Sequence, residues 1–102
     1  TLTGGTGRIT PVSARNIVPT GAVAVAANLT QTGTSGVGYL AVAPGRASGP
    51  PPTSAINWTG DQTLANGMLV KSGATLEVSV YAGPSSQGVG ANYIMDVSGY
   101  FI

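Results

Sequence analysis

The chain contains no cysteine and no histidine, and only seven of its 102 residues are charged: Arg8, Arg15, Arg46, Lys71, Asp61, Glu77 and Asp96. Each absence closes a class of chemistry. Without cysteine there is no disulfide, thiolate nucleophile or zinc–thiolate site. Without histidine there is no imidazole base, and a serine–histidine triad is excluded. Soluble domains devote about a quarter of their residues to charge, and a surface as poor in it as this one favours association over dispersal. The net charge is +1 with no basic run, so counterion release has little to act on and nucleic acid is a poor partner. No apolar stretch approaches the roughly 18 residues of a membrane helix; the longest, Ala22 to Ala27, is two-thirds alanine. Membrane insertion of this chain is not expected.

What is present is β-branched residues alternating with Gly, Ser, Thr and Asn, at period two and with no sustained helical repeat. The pattern predicts an all-β fold, an antiparallel β-sandwich of jelly-roll or immunoglobulin-like type with about seven to eight strands in one domain. The expected strands are Arg8 to Ser13, Ala22 to Thr30, Val37 to Ala43, Ser54 to Thr59, Met68 to Lys71, Ala74 to Ala82 and Ala91 to Phe101. In Ala22 to Thr30 the inward set is Val23, Val25, Ala27 and Leu29, while the outward set is small and hardly polar. Such a strand is central or has its outer face covered. In the last strand Tyr93, Met95 and Val97 share one face, and Ile94, Asp96, Ser98, Tyr100 and Ile102 the other. Gln31 to Gly38 reads as a hairpin loop, Ser72-Gly73 as a tight turn, and Pro50-Pro51-Pro52 as a polyproline II crossover between sheets.

The remaining chemistry is sparse. Lys71-Ser72 is the only lysine beside a serine, and adjacent strand residues point to opposite faces. Paired carboxylates for glycoside hydrolysis would have to come from Asp61, Glu77 and Asp96. No loop has the acidic density of a calcium site, and the Gly-rich turns lack the Gly-Lys-Ser/Thr of a phosphate loop. No catalytic residue, cofactor or metal is therefore expected. Asp96, between Met95 and Val97, is expected to be buried and locked by a cation or by several hydrogen bonds. Trp58 reads first as core and second as a stacking platform for a sugar, with Tyr39 and Tyr81 as further stacking surfaces. Asn28-Leu29-Thr30 and Asn57-Trp58-Thr59 match the glycosylation sequon but fall in strands.

Four motifs occur in a telling order: Val23-Ala24-Val25-Ala26-Ala27-Asn28-Leu29-Thr30, Gly38-Tyr39-Leu40-Ala41-Val42, Pro50-Pro51-Pro52-Thr53-Ser54-Ala55-Ile56-Asn57-Trp58 and Asp96-Val97-Ser98-Gly99-Tyr100-Phe101. Together they resemble the secreted β-rich modules, common in actinobacteria and other bacteria with large exported proteomes, that end in a Val-Asp-Val-x-Gly-Tyr-Phe signature. The resemblance implies an extracellular, non-catalytic β-sandwich, often in tandem or attached to secreted hydrolases and cell-surface proteins. Those modules carry an N-terminal Leu-Asp-Thr-Arg-like segment that nothing in Thr1 to Gly7 matches. The expectation is either a domain with one strand fewer or a strand supplied by another copy.

Two functional expectations follow. The first is a structural subunit, extracellular or at the cell surface, that joins copies of itself into a filament or layer by strand addition or by packing of apolar strand faces. Residues 1–7 would then be an arm exchanged between subunits, 8–102 the sandwich, and Thr1, Leu2, Thr3, Ile9, Tyr100, Phe101 and Ile102 the interface. The second is an adhesion or accessory module binding cell-wall or environmental polysaccharide through Trp58, Tyr39 and Tyr81.

Overall fold

The computed structural model describes residues 1–12, 18–19, 21–45, 54–72 and 76–102. Eight strands form: β1 (Leu2–Thr3), β2 (Thr6–Pro11), β3 (Ala24–Ser35), β4 (Val37–Pro44), β5 (Ile56–Thr59), β6 (Leu64–Lys71), β7 (Glu77–Gly83) and β8 (Gly90–Phe101). They make two antiparallel four-stranded sheets, the first in the order β1-β8-β3-β6 and the second in the order β2-β7-β4-β5. The all-β sandwich read from the alternation is the observed architecture. The proline triplet, Gly73 and the first residues of the expected Ala74 to Ala82 strand lie outside the described residues.

The core lies between the sheets. Val25, Ala27 and Leu29 from β3 face Leu40 of β4, Val78, Val80 and Ala82 of β7, and Ile56 and Trp58 of β5, all buried. Period-two alternation puts these residues on the inner faces, where burying a large aliphatic side chain contributes about 1.5–3 kcal/mol. Val23 departs from its expected inward place: it precedes β3, is 58% exposed, and donates its backbone N–H to the Phe101 carbonyl instead. Leu76, within the expected Ala74 to Ala82 strand, is buried but lies outside β7, with φ at +56°.

Two further departures have local causes. The expected hairpin loop Gln31 to Gly38 is mostly strand, because β3 continues to Ser35 and the reversal is made at Gly36, φ +70°. Gln31 and Thr34 are both buried in this extension. Residues 1–7, expected as an arm apart from the sandwich, are bonded into both sheets of their own chain. Leu2 and Thr3 face Ala91 and Gly90 of β8, and Thr6 and Gly7 face Ala82 and Tyr81 of β7.

The sheets meet along two seams. On one side β2 overlies β8, where the Arg8 guanidinium lies 5.6 Å from the Tyr93 ring and the Thr10 and Tyr93 hydroxyls are hydrogen-bonded. On the other side β5 overlies β3 and β6 through side-chain amides: Gln31 Nε2 donates to the Asn57 carbonyl and Asn66 Nδ2 to that of Ala55.

Candidate functional site

The outer face of the first sheet is the most unusual surface of the molecule. Down its central strand run Ala24, Ala26, Asn28, Thr30 and Thr32, none of them large. Register places Leu69 beside Ala26, Lys71 beside Ala24 and Ala65 beside Thr30 on β6, with Ile94, Asp96 and Phe101 on β8 opposite Thr30, Asn28 and Ala24. Leu69 is 70% exposed, Ile94 53% and Phe101 50%. A shallow trough of small side chains is thus flanked by exposed apolar ones. The only charges along the three strands that bear this face are Lys71 and Asp96, one on each flank.

Asp96 corrects the expectation of a buried, locked carboxylate. It is exposed on this outer face, and no ion pair engages it among the described residues. Its apolar neighbours in sequence, Met95 and Val97, turn inward by strand alternation and leave the carboxylate in water. A β-bulge makes a second correction. Ala26 faces Gly99 but Ala27 faces Val97, so Ser98 is the extra residue. One added residue reverses the facing of everything beyond it. Tyr100 therefore lies opposite buried Val25, and Phe101 rather than Tyr100 joins the outer face.

The edges of the two sheets differ in protection. In the second sheet β2 carries Arg8 and Pro11, two devices that discourage strand pairing. The free side of β5 is closed by amides: besides the Gln31 and Asn66 bonds, the Thr59 N–H donates to Gln62 Oε1 at 2.9 Å. The first sheet has no such closure among the described residues. β6 is its end strand and carries neither charge nor proline from Leu64 to Val70. At the other end β1 covers β8 only at Gly90 and Ala91. From Asn92 to Phe101 that side of β8 has no strand partner among the described residues, and its one charge is Asp96.

The residues expected at an assembly interface are dispersed. Leu2 is buried against β8, with Thr1 and Thr3 exposed beside it, while Tyr100, Phe101 and Ile102 lie at the far end of the same strand. Ile9 is half-buried on the other sheet, facing Ser79. Leu64, Leu69 and Ile94 complete the exposed apolar set of the first sheet, and of these only the outward facing of Ile94 follows from the alternation. Leu64 and Leu69 become an edge only once β6 is known to end the sheet.

Of the residues expected to stack on sugar, Trp58 and Tyr39 border one cleft and Tyr81 lies apart from it. Trp58 is 2% exposed, its ring against Gly38 and its Nε1–H donated to the Ser35 carbonyl at 2.9 Å. Its place is the core. Tyr39 and Tyr81 share the outer face of the second sheet, half-buried, opposite Gly83 and Ala41 respectively. Beside Tyr39 a shallow cleft of about 430 Å³ has Asn57, Trp58, Thr59, Gln62 and Pro84 among its lining residues.

Neither a protein-family model nor a curated protein matches this chain.

Proposed function

We propose that this protein is a non-enzymatic structural subunit, extracellular or at the cell surface, that assembles with copies of itself into a filament or layer. The observation that carries the reading is the first sheet: among the described residues β6 at one end and β8 beyond Ala91 at the other have no strand partner on their free sides, and its solvent face exposes Leu69, Ile94 and Phe101. Free N–H and C=O groups in a row are templates for another strand. Exposed apolar side chains beside them favour burial. The deficit of charge acts in the same direction, since little electrostatic repulsion opposes contact between copies. The resemblance to secreted bacterial β-modules supports the extracellular setting.

A second reading, a polysaccharide-binding module, draws on the cleft where Tyr39 meets Asn57, Thr59 and Gln62. An aromatic ring beside amide and hydroxyl groups suits a sugar's apolar face and hydroxyl rim. One experiment separates the two. Sedimentation velocity over a wide concentration range, with negative-stain imaging, should show polymers above a critical concentration. A monomer at every concentration would overturn the assembly reading, and a monomer that bound glycans on an array would replace it with the second.

A further inference from the structure

We infer that copies join head to tail through the first sheet, with β6 of one copy laid parallel beside the free edge of β8 in the next. The inference rests on the assembly reading above and specifies its contact. Four observations select this pairing over the others the fold allows.

First, the two edges stand at the same height. Through β3, Gln31 aligns Leu64 of β6 with Tyr93 of β8, and Ala24 aligns Lys71 with Phe101. The whole of β6 therefore matches the uncovered part of β8, and β1, at Gly90 and Ala91, lies just outside the matched span. Second, β6 and β8 are both antiparallel to β3, so they run in the same direction. Moving one copy sideways, without inverting it, brings β6 against β8 with the same face outward. Third, the edges differ in sign. Pairing β8 with β8 about the middle of its uncovered span brings Asp96 towards its own copy, whereas the unlike pairing puts acid and base on one seam, Asp96 level with Asn28 and Lys71 with Ala24. Like-charge juxtaposition at an interface is the costlier arrangement. Fourth, Arg8 and Pro11 on β2 and the amide closure of β5 obstruct the alternative through the second sheet.

The contact is heterologous, and repeated without closure it makes a fibre. Each copy adds three strands, β8, β3 and β6, to a sheet running the length of the fibre. At ~4.8 Å per strand the axial rise is about 14 Å. With the usual twist between strands, the rotation is about 65° per copy. The second sheet, ~10 Å off that axis, winds on a longer path, which makes room for its fourth strand.

The test uses two exposed positions that the pairing brings side by side, Ile94 on β8 and Ala65 on the neighbour's β6, both level with Thr30. In the double variant Ile94→Lys, Ala65→Lys like charges meet at every join, and the critical concentration should rise at least tenfold. In Ile94→Asp, Ala65→Lys opposite charges meet, and assembly should return to near the unsubstituted level, with a rise of about 14 Å by helical reconstruction. Circular dichroism and melting temperature establish that both variants fold. If the unsubstituted chain assembles but the two variants assemble equally well or fail equally, the β8–β6 join is wrong and the assembly reading stands. A monomeric unsubstituted chain removes both.

Discussion

Trp58 and Tyr39 lie on opposite faces of one sheet for a common reason: each ring is laid over a glycine on the neighbouring strand. Gly38 faces Trp58 across β4 and β5, and Gly83 faces Tyr39 across β7 and β4. A Cβ on Gly38 would come within 2.5 Å of the Trp58 ring and 2.7 Å of the Gly83 carbonyl oxygen. Gly38→Ala must therefore displace a buried indole, and it should lower unfolding stability by about 1–3 kcal/mol in urea titrations. A Cβ on Gly67, in the exposed edge strand, would have nothing within 4 Å among the described residues. Gly67→Ala should raise stability by roughly 0.4–1 kcal/mol, by restricting the unfolded chain. Equal effects at the two sites would show that strand propensity, not ring packing, sets the cost.

Among the elements, the turn from β5 to β6 is held less by its own sequence than by β3. The Thr34 hydroxyl shares its proton between the Gly60 and Gln62 carbonyls, at 2.7 and 3.0 Å, and accepts the Gln62 N–H at 2.7 Å. Gln62 in turn accepts the N–H of Thr59. Thr34→Val keeps the shape and removes all three bonds, leaving a partly buried N–H without its partner. The expected loss is about 1–3 kcal/mol, with faster hydrogen exchange at the Gln62 and Thr59 amides and little change in β7. Unchanged exchange at Gln62 would show that the hydroxyl does not hold the turn. Gln31, close by on the same strand, is fully buried and its Oε1 has no hydrogen-bond partner among the described residues. A buried amide half-satisfied in this way is a cost, and its return is the bond that closes β5 at Asn57.

For the whole molecule, the radius of gyration is 13.1 Å, close to the ~13 Å of a compact domain this long. The N-terminal strand contributes to that compactness, because Leu2 belongs to the same buried cluster as Trp58 although the two lie in different sheets. Leu2→Ala should lower stability by about 2–5 kcal/mol. Trp58 fluorescence, reporting on the second sheet, should still unfold together with the far-ultraviolet signal of both. Two separated transitions would mean that the sheets are independently stable and that the shared core does not couple them.

The sequence by itself determined the all-β class, the face that Tyr93, Met95 and Val97 share in β8, and the poverty of charge, because all three are local or additive. Alternation along a strand sets which side chains share a face, and composition needs no coordinates. The expected strands Val37 to Ala43 and Ala91 to Phe101 lie within a residue of β4 and β8. Only the tertiary structure decided which strands end a sheet, that Ser98 bulges and so exchanges Tyr100 for Phe101, and that Gln31, Gln62 and Asn66 close β5 while β6 and β8 have open sides among the described residues. These depend on partners far apart in the chain. Thr30, for example, stands between Ala65 and Ile94. No period in a sequence records which backbone groups remain unpaired once such neighbours have met.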